Sequence, residues 1–183
     1  MRLPHLEQSP HIHPSVYIDP TARINGDVTI ARGASVWCNA SIRGDVHRIR
    51  IGENTNVQDN CALHTTHETH ALEIGPCVVI GHGAILHGCT LEGSTLVGMG
   101  AILLDGCNIG AEVVIGAGSV VTQGKIMPPG HLVLGSPARA VRPLTDQERL
   151  AVREGWRNYA EYVEEYRRLG KFHGWADHPL GDR

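Results

Sequence analysis

Residues 91–121 read LEGSTLVGMGAILLDGCNIGAEVVIGAGSVV, and an aliphatic residue leads every sixth position: Leu91, Val97, Leu103, Ile109, Ile115 and Val121. Four places after these lead residues stands a small or β-branched one, as at Thr95, Ala101, Cys107, Val113 and Ser119. A helix cannot satisfy this spacing, because its apolar positions recur at three and four residues. Glycine directly follows the lead residue at Gly98, Gly110 and Gly116, which suits short strands broken by tight turns.

The period extends toward the N-terminus through Leu86, Ile80 and Ile74, then Leu63, Val57 and Ile51, then Ile42, Val36, Ile30, Ile24 and Ile18. The companion small residues continue with it, at Ala84, Val78, Cys61, Thr55, Val46, Ala40, Ala34, Val28 and Ala22. The departures from six are informative. Leu91 arrives one residue early, three extra residues fall between Ile42 and Ile51, and five fall between Leu63 and Ile74. The two insertions are expected to bulge out as loops while the register is kept.

This pattern resembles the hexapeptide-repeat family over about residues 16 to 124. The resemblance implies a mainly β fold, a left-handed parallel β-helix with three short strands per coil. The left hand is implied by the resemblance alone, since the general crossover rule is right-handed. Coils in such a solenoid stack about 4.8 Å apart, so lead residues form an aliphatic core and exposed positions form vertical columns.

The chain divides into residues 1–15 as an N-terminal segment, 16–124 as the β-helix, 125–144 as an irregular connection, 145–170 as a helix and 171–183 as a tail. The connection is marked by Met127-Pro128-Pro129-Gly130. Thr145 with Glu148 three residues later reads as a capping box, and Val152, Trp156, Tyr159, Val163 and Tyr166 make one apolar face. Gly170 should end the helix. The helix is expected to cover apolar surface on its own solenoid or a neighbouring one, and the polar tail is expected to be mobile.

Composition narrows the function. With 16 Lys and Arg against 19 Asp and Glu, a net charge of -3 leaves no broad basic surface for nucleic acid or anionic lipid. No basic segment followed by an apolar run opens the chain, and no eighteen apolar residues are consecutive, so a soluble cytoplasmic protein is expected, without a membrane or nucleic-acid partner. Five scattered cysteines without a CxxC pair read as reduced packing residues. The 12 histidines need a specific explanation.

His64 directly follows Leu63, and His87 directly follows Leu86, one coil apart on the same face. Two imidazoles stacked in this way can converge on one metal. His82, two residues after Ile80, belongs to the preceding face and would struggle to join them within its own chain. It could meet them across a subunit boundary of a threefold assembly. Arg43, directly after Ile42, lies in the column of His64 and His87, while Asp59, two residues after Val57, lies in the column of His82. If the columns face each other between subunits, Arg43 can pair with Asp59 of a neighbour.

The stretch SVWCNASIRGDVHRIRIGENTNVQDNCALH, followed by IGHGAILHGC, resembles the gamma-class carbonic anhydrase family. Arg43-Gly44-Asp45, the segment Val57-Gln58-Asp59-Asn60 and the three histidines all occur in that family's order and spacing. The resemblance implies a homotrimer in which His64, His82 and His87 bind zinc, or iron in some preparations, at subunit interfaces. It further implies interface ion pairing by Arg43, Asp45 and Asp59, and a hydrogen bond from Gln58 to the solvent on the metal.

Three neutral imidazoles leave a tetrahedral zinc one open position, where water becomes acidic near neutral pH. Hydration of carbon dioxide to bicarbonate is the expected reaction. Proton export is less well provided. Where archaeal relatives carry a glutamate after the match to Asp45, this chain has Val46, and His67 lies near the place of a second glutamate. His67 is a reasonable shuttle because imidazole titrates near neutrality, and Tyr162, Tyr159 or Asn158 of the helix are further candidates to reach the pocket. Two alternatives stay open: a hexapeptide-repeat acyltransferase using an acyl-CoA, and a non-catalytic trimeric scaffold that retains metal.

Overall fold

The computed structural model describes residues 3, 5 and 7–181. It is a left-handed parallel β-helix with three faces and a helical C-terminal extension. One face stacks Tyr17–Ile18, Ser35–Val36, Asn56–Val57, Val79–Ile80, Leu96–Val97 and Val114–Ile115. The next face in chain order carries Ala62–His64, Ile85–His87, Ile102–Leu103 and Val120–Val121, and the third carries Leu72–Ile74, Thr90–Leu91 and Asn108–Ile109.

The lead residues lie in register from coil to coil: Ile42 pairs with Leu63, Leu63 with Leu86, Leu86 with Leu103, and Leu103 with Val121. All point inward and are buried in one continuous core. Register is strict because shifting a strand by one residue would turn its aliphatic side chain out to water. The corners demand close backbone approach. A Cβ on Gly52 would lie 2.4 Å from the backbone carbon of Gly75 one coil above, so neither position has room for a side chain.

The insertions behave differently from one another. At the first, the strand stays continuous over Ser41–Ile51, and the extra residues arch out where the register jumps between Gly26/Gly44 and Val28/Ile49. Extended backbone, rather than a loop, accommodates them. The second insertion does leave the coil as a loop, closed by an isolated bridge between Thr66 and His70.

The expectation of an irregular connection over 125–144 is corrected. Ile126–Met127 pairs with Asn108–Ile109, and His131–Gly135 pairs with Val114–Ile115 before turning into an antiparallel partner, Ala138–Pro143. Met127 and Val133 are buried and continue the six-residue step from Val121, so the prolines and glycine occupy an ordinary corner.

Two helices follow, α1 (Asp146–Glu154) and α2 (Trp156–Arg168), where a single one is expected over 145–170. They meet at Gly155, which has helical dihedrals but low helix propensity. The capping box forms as expected: the Thr145 hydroxyl accepts from the Glu148 amide, and the Glu148 carboxylate accepts from the Thr145 amide. α2 lies on its own solenoid. Tyr159 and Tyr166 pack edge-on against Trp37, at 5.4 and 5.5 Å between ring centroids, and Val163 is buried beside them. Gly170 adopts a positive φ of 67° just beyond the helix.

The expectation of a mobile tail is also corrected for its described part. The Ile18 amide donates to the His173 carbonyl at 2.9 Å, and Trp175 joins the core, closing the N-terminal end of the solenoid. An open β-helix end exposes core side chains, and a large aromatic covers them efficiently. Asp182 and Arg183, the last residues of the expected tail, lie outside the described residues. The cysteines are free thiols, and burial pushes those of Cys38 and Cys61 up to about 11.

Candidate metal centre

Parallel pairing places His64 and His87 opposite each other at the ends of Ala62–His64 and Ile85–His87. Their rings meet through His64 Nδ1 and His87 Nε2, 3.1 Å apart. The outer nitrogen of each ring touches a carboxylate: His64 Nε2 lies 3.1 Å from Asp45 Oδ1, and His87 Nδ1 lies 2.7 Å from Asp105 Oδ1. Assigned from this network, each outer nitrogen carries the proton and donates it to its carboxylate. Both inner nitrogens then present lone pairs to one another. Burial lowers the pKa of His64, helped by Arg43 and His87, and this outweighs the opposing pull of Asp45. A neutral His64 is therefore favoured.

The two carboxylates are themselves held. Burial pushes Asp45 up, but the Arg43 guanidinium, 2.6 Å from its Oδ2, and His64 outweigh it and keep the carboxyl below its usual range. Asp105 behaves in the same way, its burial outweighed by hydrogen bonds from Thr66 and His87. Arg43 thus pairs with Asp45 within the chain, whereas the column argument alone directs it toward Asp59 of a neighbour.

His82 stands on the neighbouring corner. Val57 pairs with Ile80, so Asp59 and His82 occupy equivalent positions one coil apart, and Asp59 Oδ2 lies 2.8 Å from His82 Nδ1. Gln58 is fixed at both ends. Its Oε1 accepts from the His82 amide at 3.2 Å, and its Nε2 donates to Asn56 Oδ1 at 3.1 Å. Asn56 has no place in the repeat-based reading, since a polar residue before a lead residue carries no signal in one sequence. Its Nδ2 is buried without a partner.

Among the described residues, no three His, Cys, Asp or Glu groups of this single chain converge as a metal cluster. The structure brings His64 and His87 together and sets His82 apart, on a different face. The pair nevertheless fits a metal. Two nitrogens bound tetrahedrally at 2.0–2.1 Å lie roughly 3.3 Å from each other, close to the observed 3.1 Å. A carboxylate behind each imidazole is the arrangement that fixes ligand tautomers at metal sites.

The remaining candidates are more peripheral. His67 Nδ1 lies 3.9 Å from Glu68 Oε2 on the inserted loop. Val46 is buried, so its place offers no proton carrier. Tyr162 is exposed on α2 and packs edge-on against Tyr159 at 5.5 Å. Burial, with a contribution from the Asp59 carboxylate, raises the Tyr159 phenol, which packs edge-on against Trp37. Thr66, on the inserted loop, escapes a reading of the repeat altogether, and the repeat gives the level of Asp105 but not its contact with His87. Asp105 sits in a turn position, and only the folded chain carries it down to the coil below.

No family model matches the chain. It is 50% identical over 147 residues to Protein YrdA of Escherichia coli (strain K12), covering 77% of this chain and 80% of that protein. It is 42% identical over 164 residues to the carbonic anhydrase of Geobacillus kaustophilus, covering 90% of this chain and 88% of that one. Against gamma carbonic anhydrase 1, mitochondrial, of Arabidopsis thaliana, identity is 38% over 163 residues, covering 86% of this chain and 59% of that protein. Among solved structures, a Bacillus cereus protein provisionally described as an acetyltransferase superimposes with a TM-score of 0.86 at 41% identity, covering 89% of this chain and 94% of that one.

Proposed function

The chain belongs to the gamma-class carbonic anhydrase family, and from that membership we propose that it hydrates carbon dioxide to bicarbonate at a zinc site shared between subunits of a homotrimer. The observation that carries the reading is the pair of facing imidazole nitrogens of His64 and His87, each backed by a carboxylate. With the protons on the outer nitrogens, as assigned above, the two facing lone pairs 3.1 Å apart would repel, and a cation between them relieves that repulsion. His82 of a neighbouring subunit supplies the third imidazole in this reading.

The surface around the pair supports a second copy as the occupant. Ala62, Ile85, Ile102 and Val120 form an outward column in register, immediately beside the column of His64 and His87. Ile85 is 41% exposed, and Met99, the turn residue one coil beyond His82, is 61% exposed. One apolar column beside His64 and His87 and an exposed Met99 over His82 match a symmetric assembly that buries them together.

When bound, zinc at three imidazoles would supply a Lewis acid able to make water acidic near neutral pH. The chain's residues do the positioning. Asp45 and Asp105 hold the two imidazoles, Asp59 holds His82, and Arg43 fixes Asp45. Gln58, clamped by His82 and Asn56, keeps a second amide proton with which to hydrogen-bond the reacting oxygen. His67 on the inserted loop is the proposed proton carrier, with Tyr162 as a further contact at the pocket.

Metal analysis coupled to a carbon dioxide hydration assay, on protein prepared both with and without air, tests the proposal. One zinc or iron per chain with activity above that of free metal is expected, and metal-loaded protein without hydration would overturn it. The Bacillus cereus neighbour favours a second reading, acyl transfer from an acyl-CoA with a histidine base. Acyl-CoA turnover by metal-free protein would select that reading.

A further inference from the structure

Asp105 stands two residues after the lead residue Leu103 and is built into contact with His87, one coil below. It lies in the turn between Ile102–Leu103 and Asn108–Ile109, one coil beyond the histidine. Its Oδ1 lies 2.7 Å from His87 Nδ1 and accepts the Thr66 hydroxyl proton, also at 2.7 Å. Thr66 belongs to the inserted loop 65–71, so this insertion contributes a hydrogen bond to the site as well as length. Direct contact between Thr66 Oγ1 and His87 Nδ1 is longer, at 3.5 Å. The carboxylate is the bridge between them.

The backbone leaves room for this bridge. Gly88, directly after His87, has a φ of +54°, and a Cβ there would lie 2.3 Å from Asp105 Oδ1 and 2.7 Å from the Cβ of His70. Any side chain at 88 would expel the carboxylate. Gly106 next to it, at φ +67°, donates its amide to the Gly88 carbonyl at 2.7 Å, tying the two turns together.

We propose that Asp105, oriented by Thr66, is a positioning residue that holds His87 as the Nδ1–H tautomer and thereby presents Nε2 to the metal. This deepens the functional reading above and rests on it. Without the carboxylate, neutral imidazole redistributes between tautomers, and a proton on Nε2 must leave before that nitrogen can bind metal. Loss of an outer-shell partner of this kind lowers metal affinity by roughly 10–100-fold.

The test measures zinc affinity by competition with a chromogenic chelator, alongside the imidazole nitrogen shifts of metal-free protein, for wild type, Asp105→Ala, Asp105→Asn, Thr66→Val and His87→Ala. Asp105→Ala should bind zinc roughly 10–100-fold more weakly and lose its preference for the Nδ1–H tautomer. Asp105→Asn keeps an acceptor without the charge and should fall between Asp105→Ala and wild type. Thr66→Val leaves the carboxylate in place and should show a smaller loss in the same direction, which keeps the test decisive if Asp105→Ala fails to fold. Unchanged tautomer and unchanged affinity across these variants, while His87→Ala loses zinc, would overturn the positioning role. Full zinc occupancy in His87→Ala would overturn the metal-site reading itself, so the two failures are distinguishable.

Discussion

His64 Nδ1 and His87 Nε2 stand 3.1 Å apart, on residues 23 positions apart in the chain that become exact cross-strand partners in the solenoid. The pairing costs no local strain, because a parallel ladder sets equivalent residues one above another. What it lacks is a third nitrogen, since His82 is held at a separate corner by Asp59.

Replacing His82 with alanine should therefore empty the metal site, although His64 and His87 remain paired on one chain. Elemental analysis of the assembled protein isolated by sizing is the check. A variant that retains one metal per chain would mean that the third ligand is not His82.

Arg43→Ala should weaken subunit assembly more than it unfolds the solenoid. Asp45 is only 5% exposed, and its carboxylate would be left with His64 as its partner. The Arg43 side chain is 46% exposed in the single chain, so solvent screens its pair with Asp45 there and losing it should cost the fold about 1 kcal/mol or less; the larger cost is expected where a neighbouring subunit covers Arg43. Sedimentation over a concentration series should show dissociation at concentrations where wild type stays associated, with the far-ultraviolet spectrum unchanged. An assembly as tight as wild type at low concentration and high salt would show that Arg43 does not stabilise the interface.

Carbon dioxide hydration should be modest and dependent on buffer, because buried Val46 cannot carry a proton and His67 lies on the inserted loop. Added imidazole is expected to raise kcat and leave kcat/KM nearly unchanged, since attack on carbon dioxide and proton export are separate steps. His67→Ala should lower kcat in weak buffer and respond more strongly to imidazole. Identical buffer responses in the variant and wild type would remove His67 from the proton path while leaving the enzyme assignment intact.

The C-terminal closure should loosen in mild acid. His178 is 5% exposed, its ring stacks on Trp175 at 5.2 Å, and its Nε2 is buried without a partner. Burial lowers its pKa and outweighs the opposing pull of the nearby Ala22 and Asp19 backbone, with Arg23 acting in the same direction as burial. The folded pKa thus lies below the ordinary value near 6.5, so its contribution to stability is complete above about that pH. It is lost as pH falls through the folded pKa. Hydrogen exchange over residues 173–181 should accelerate as pH drops below about 6.5 beyond the intrinsic chemical trend, and His178→Phe should abolish the excess. An excess that persists in His178→Phe would place the sensor elsewhere.

Gly52→Ala and Gly83→Ala should separate two reasons for glycine. At Gly52 a Cβ meets the Gly75 backbone at 2.4 Å, which no side-chain rotation can relieve, and a loss of about 3 kcal/mol or more is expected. At Gly83 a Cβ meets nothing within 4 Å, so only the left-handed φ of +68° is penalised, at about 1 kcal/mol. Urea midpoints at constant slope would show this order, and equal losses would contradict it.

The six-residue period was enough to read the strand register, the stacking of His64 on His87 and that of Asp59 beneath His82, because each depends on counting along a regular ladder. The same count extends to Met127 and Val133, where the two prolines suggest an ending that burial does not respect. Trp175 and His178 follow from no such count, since two aromatics, Phe172 and Trp175, scattered in a polar tail carry no period. Nor does the count fix the Arg43 partner: a column position leaves a long side chain several carboxylates to choose from, and within the chain it takes Asp45.

The sequence by itself determined the solenoid and the columns, because inward and outward positions repeat at a fixed step and burial of the aliphatic leads enforces that step. Only the tertiary structure decided that Asp105 and Thr66 converge on His87, that Gln58 is clamped between Asn56 and His82, and that the C-terminal segment closes the first coil. These contacts join turns, an insertion and a terminus, whose directions are set by packing against neighbouring coils. A one-dimensional period records none of those directions.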